Sequence, residues 1–120
     1  MNYGGVAREI PIIPYAATDS TIVRGNLLEF SSPNVIKWAG TNPLFGVATG
    51  DFDPDASIVP VYQGRGSTVF VACDTGVVPT IGQELFWSSA GLAKTTGTAG
   101  TGFGYAVMPG QNGQVEARLK

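Results

Sequence analysis

No stretch of this chain longer than ten residues is free of both glycine and proline, and that spacing limits what it can fold into. The longest uninterrupted run, residues 15–24, is shorter than an average helix of about 11–12 residues. It does not place apolar residues at i, i+3, i+4 and i+7, and β-branched Thr18, Thr21, Ile22 and Val23 favour extension. The chain therefore predicts as all-β. Short β-type runs separated by turn residues place strands at 21–30, 34–38, 44–49, 57–63, 67–73, 83–87, 92–95, 103–108 and 114–119. Strands this short and this regular predict a small barrel or sandwich. Residues 1–20 carry little alternation and two prolines, so they read as an extended arm ahead of a single β domain at 21–120.

The strand faces can be read from their alternation. Val115, Ala117 and Leu119 alternate with Gln114, Glu116 and Arg118, which puts one side of the last strand on the core and the other in water. The run at 67–73 is apolar on both faces, with Val69, Val71 and Cys73 on one and Phe70 and Ala72 on the other. Such a strand needs cover on both sides, from its own domain or from a neighbour. Phe103, Tyr105 and Val107 predict one face of the next-to-last strand, opposite a flat face of Gly102, Gly104 and Ala106 that lets another backbone approach. Pro60 cannot donate a ladder hydrogen bond, which predicts an edge position for its strand. Asn112-Gly113 is the strongest hairpin signal, because both residues tolerate positive φ. Residues 88–91 predict a second hairpin, and the low-complexity run 95–102, TTGTAGTG, predicts a flexible loop.

Composition then excludes several kinds of chemistry. Histidine is absent, which removes Ser–His–Asp and Cys–His catalysis and most zinc sites. Cys73 is alone, so no intrachain disulfide forms; without a cationic neighbour in sequence it reads as an inert buried thiol. Seven basic against nine acidic residues leave a net charge of −2, which is no footprint for nucleic acid. No apolar run approaches the roughly 18 residues of a membrane span, and the N-terminus lacks the shape of a signal peptide. These features predict a protein made in a reducing cytoplasm. Charged residues make up 13% of the chain against a norm near 25%, so much of its surface is neutral. Either unusually polar-neutral loops cover it, or much of it is packed against other chains.

Candidate sites each meet a plainer rival. Asp51, Asp53 and Asp55 have D-x-D-x-D spacing, but Ala56 and Tyr62 stand where a calcium loop needs glycine and glutamate, so an acidic turn is the better reading. The glycines at 97–104 lack both the third glycine of a dinucleotide fingerprint and a following helix. Trp38, Phe45, Tyr62, Trp87 and Tyr105 could stack a sugar or base, but alternation with Ile36 and Leu85 favours core roles for the tryptophans. No arrangement points to catalysis, and no cofactor or metal site is assigned.

In order, the segments TIVRGNLLEF, NVIKWAGTNPLFGVATGDF, SIVPVYQGRGSTVFVA, PTIGQELFWSSAGLAKTT, GTGFGYAVMPGQNG and VEARLK form a pattern. It resembles the small capsid decoration, or cement, proteins of tailed bacteriophages. In plan it is also similar to the trimeric head-stabilising proteins with a β-tulip fold. The resemblance implies a non-enzymatic virion protein on the outer capsid surface, bound to the major capsid protein. It implies a homotrimer that bridges neighbouring capsomers and stabilises the shell against packaging pressure. A trimeric tail fibre, spike or baseplate component is an alternative, as is a carbohydrate-binding β module. The residues expected to meet partners are Ile10, Pro11, Ile12, Ile13 and Pro14 in the arm, Pro79, Thr80 and Ile81 in a loop, and the strand at 67–73.

Overall fold

The computed structural model describes residues 12–120, which form ten strands joined by turns. They are β1 (Ile12–Ala16), β2 (Leu27–Ser31), β3 (Asn34–Lys37), β4 (Gly46–Ala48), β5 (Ile58–Tyr62), β6 (Thr68–Ala72), β7 (Glu84–Trp87), β8 (Ala93–Lys94), β9 (Gly104–Ala106) and β10 (Gln114–Leu119). The strand pairings are antiparallel and give two five-stranded sheets, ordered β1-β5-β4-β2-β3 and β6-β10-β9-β7-β8, with one parallel bridge between Cys73 and Ala93. The chain is all-β, a sandwich whose first sheet curls until its outer strands β1 and β3 touch.

Two cores follow from alternation in the first sheet. Cross-strand partners share a face, so Leu27, Val47, Tyr62 and Ile12 form one row and Leu28, Val61 and Ala48 belong to the other side. Leu27 and Val47 pack with Val71, Leu85, Val115, Ala117 and Leu119 between the sheets. Leu28, Val35, Ala48, Val59 and Val61 line the inside of the curl, which Ala17 and Ile22 fill. The sheets are stitched by backbone at residues 25–27. Gly25 N–H donates to the Ala48 carbonyl, Gly25 O accepts from Ala72 N–H, and Leu27 N–H donates to the Gly91 carbonyl. Gly25 holds φ 95°, and a Cβ there would lie 3.0 Å from Ala72 N, so only glycine fits this crossing.

The nine expected strands are all present. Val115, Ala117 and Leu119 point inward as read from their alternation. Asn112 and Gly113 form the expected tight turn with φ 54° and 77°, closed by Gln111 and Gln114. Ser88 N–H bonds the Leu92 carbonyl across the second hairpin.

Five local expectations are corrected. Residues 12–20 do not stand apart from the domain: β1 pairs along all of β5, and Ala17 is buried. The expected strand at 21–30 begins only at Leu27. The Asp19 carboxylate accepts from Thr21 N–H and hydroxyl and folds residues 19–26 into turns that insert Ile22 into the curl.

Pro60 lies on an inner strand, not an edge. Ala17 N–H bonds Ser57 O, which fixes Pro14 and Pro60 as a non-hydrogen-bonded pair. Pro14's missing N–H therefore faces away from β5. Pro60's lies on the β4 side beside Thr49, just past the end of β4.

Phe103 does not share a face with Tyr105 as expected, and the flat face of β9 turns inward. Gly104 and Ala106 are buried, Tyr105 is exposed, and Phe103 packs edge-on to Trp38 just before the strand. The close backbone approach expected at this face is real, since a Cβ on Gly104 would strike the Arg118 carbonyl. Finally, the loop at 95–102 is tied down. Gly100 and Gly102 N–H groups donate to the Glu84 carboxylate, and Gly97 lies flat on the Phe86 ring.

Candidate interaction surface

The glycine-rich loop offers its N–H groups to an anion, and that anion is internal. Glu84 on β7 accepts from Gly100 N–H at 2.9 Å and Gly102 N–H at 2.7 Å, and pairs with Lys120 Nζ at 3.1 Å. The Gly100 N–H chiefly, with Gly102 and Lys120, holds the Glu84 carboxyl below its ordinary range against the opposing effect of desolvation. These two donors are engaged on the protein's own carboxylate.

The acidic run behaves likewise. Asp53 Oδ1 accepts from Asp55 and Ala56 N–H, and Asp51 Oδ1 accepts from Arg24 N–H. The run is an acidic turn, as expected. Burial raises the Cys73 thiol pKa, which suits an inert core sulfur.

The core role expected for the tryptophans is corrected for Trp87, which is 36% exposed, while Trp38 is half-buried against the inter-sheet core. Trp87 Nε1 donates to the Trp38 carbonyl and Trp38 Nε1 to the Asn42 carbonyl, both at 2.7 Å. Gly40 lies against the Trp87 ring and Gly97 against Phe86. A groove of about 330 Å³ lies beside these rings, walled also by Lys94, Thr96 and Phe103. Phe45 packs between Tyr15 and Phe30. Tyr105 is exposed, with Lys120 Nζ 5.3 Å from its ring centroid.

Exposed apolar side chains mark where the molecule lacks cover. Ile12 is 54% exposed and Ile13 39%, both on β1 with exposed Pro14. In the loop between β6 and β7, Ile81 is 66% exposed beside Val78 at 68%. Thr80 is exposed, and its N–H is held by Gln83 Oε1. Pro79 is buried beside Gly110, whose N–H donates to its carbonyl, so it supports the loop. Ile10 and Pro11 lie outside the described residues. The two expected contact groups thus belong to different sheets, and no strand pairing joins them.

Phe70 is a further exposed apolar side chain, as are Val23, Phe30 and Met108. Phe70 stands on β6, the outer strand of the second sheet, and is 48% exposed. Two grooves meet at its ring. One, about 320 Å³, runs past Met108, Gln114 and Glu116; the other, about 340 Å³, lies between the sheets and is walled by Arg24, Thr49, Tyr62 and Thr68. The Arg24 guanidinium sits 5.9 Å from the ring centroid. The two-sided apolar character of the strand had marked it for cover, and the fold leaves Phe70 without it.

One structural residue is not singled out by the sequence pattern. Glu29 is buried in β2, where its oxygens accept from Ala39 N–H at 2.6 Å and Asn42 Nδ2 at 2.8 Å. It anchors the loop that carries Trp38 and Asn42. Its signal was a lone charge inside the apolar run LLEF.

A sequence profile described as phage cement protein matches residues 6–120. No curated protein matches the chain.

Proposed function

The chain belongs to the phage cement protein family, and on that premise we propose that it mounts as a homotrimer on the outer surface of a phage head. There it contacts the major capsid protein, bridges neighbouring capsomers and stabilises the shell against the pressure of packaged DNA. The observation that carries this reading is the extent of the match, which spans every described residue. Three features of the molecule support it. Its surface is poor in charge, its exposed apolar side chains lie on separate elements, and its polar loops are closed on themselves. A molecule that bridges neighbours needs more than one contact face. Exposed Ile12 on β1, Ile81 in the β6–β7 loop and Phe70 on β6 are the side chains we assign to such contacts.

Energetically the role needs little from each copy. A standard specific interface buries about 1,600 Å² in total, and many copies on one shell act together. The test is to add the purified chain to undecorated heads of its own phage. Binding should saturate at a fixed number of copies grouped in threes, and decorated heads should survive heating or osmotic shock that opens bare ones. Failure to bind heads, or binding to tails alone, overturns the reading.

A further inference from the structure

We propose, resting on the trimer of that reading, that residues 6–10 of a neighbouring copy add as a strand along the outer edge of β6. They would lie in the groove between the two sheets and so link the copies.

The edge is prepared for such a strand. Cys73 N–H donates to Gly113 O and Ala72 N–H turns the opposite way to Gly25 O, which sets the alternation along β6. Thr68 and Phe70 therefore point their N–H and C=O groups away from β10, and among the described residues nothing pairs with them. An open edge of this kind is a template for strand addition. The groove beside it is mostly apolar, with Tyr62 and Phe70 on its walls and one cation, Arg24.

The occupant is argued from where the described chain begins. Ile12 pairs with Tyr62, itself a wall of the groove, so residues 1–11 start from its rim. The segment 6–10, VAREI, carries Glu9, the charge that complements Arg24, with small Ala7 on the same side two residues away. The family match begins at residue 6, so this stretch is part of the shared domain. A neighbour receives it because the segment cannot easily fold back into its own groove. Ile10 precedes Pro11, which biases it towards extended backbone and so favours a course away from its own groove. Five residues in extended geometry would span about 17 Å. A head-to-tail contact of this type closes into a ring when the rotation allows.

The experiment reads amide exchange at Thr68 and Phe70 in the full chain, without heads, over a range of protein concentrations. Both amides should exchange about tenfold or more slowly in concentrated than in dilute solution. Ile10→Asp and Glu9→Arg, each in the full chain, should abolish that difference. Equal exchange at all concentrations overturns the proposal, as does protection independent of concentration, which would place the segment in its own groove. Concentration-dependent protection that survives both variants also overturns it. Binding to heads is measured separately, so the cement reading can stand when this one falls.

Discussion

Glu84 shows how a single side chain converts an apparently loose stretch into fixed structure. The run at 95–102 has the composition of a flexible loop, yet two of its N–H groups end on one carboxylate that also holds Lys120. Because these donors depress the carboxyl's pKa in the folded state, their stabilisation is present above the ordinary glutamate value of about 4.3. It is lost as pH falls through the lower, folded value. Glu84→Gln should therefore lower the melting temperature at neutral pH, and the gap from the parent protein should close in acid. A gap that is constant from neutral to acid pH would mean that the carboxylate charge contributes nothing. Amide exchange at Gly100 and Gly102 should quicken in the variant.

Among the elements, the β9–β10 pair is the most exacting, because Gly104 brings its backbone against the Arg118 carbonyl. Gly104→Ala should force the strands apart and cost about 2 kcal/mol or more in denaturant unfolding, whereas Gly66→Ala, with open space around it but φ 77°, should cost about 1. The glycine's closeness to another backbone could be read in advance, since a face of Gly102, Gly104 and Ala106 has no other use. Which way that face turned could not, because Phe103 leaves the alternation just before the strand. The nine strands were legible because alternation and turn residues act locally. β1 was not: Ile12, Ile13 and Pro14 alternate poorly, and their place depends on β5, more than forty residues away. Pro60 misled for the same reason, since its tolerance inside the sheet depends on where β4 stops. The candidate surface was legible in part. The two-sided run at 67–73 gave Phe70, and Ile81 emerged exposed, but Pro79 is buried by Gly110, a contact that no local pattern encodes.

At the scale of the whole molecule, the arm and the domain overlap, and two truncations separate their roles. Residues 1–11 precede β1, whereas residues 12–17 complete the curled sheet. Tyr15 packs against Phe45 with ring centroids 5.0 Å apart and donates its hydroxyl proton to Gln63 Oε1, and Ala17 is closed into the inner core. A chain beginning at Ile12 should melt within a degree or two of the parent in dilute solution, yet bind undecorated heads more weakly. A chain beginning at Thr18 loses β1 and uncovers β5, and should lose on the order of 3–5 kcal/mol, the cost of removing a large packed aromatic. Melting curves and head-binding assays on the same two chains decide the matter. Unchanged head binding by the shorter deletion would remove residues 1–11 from attachment, and a collapsed melting curve for that deletion would assign them to the fold. If the longer deletion melted like the parent, β1 would be a passenger on the sheet, and the contribution of its apolar face to mounting would have to be sought in Ile12 and Ile13 alone.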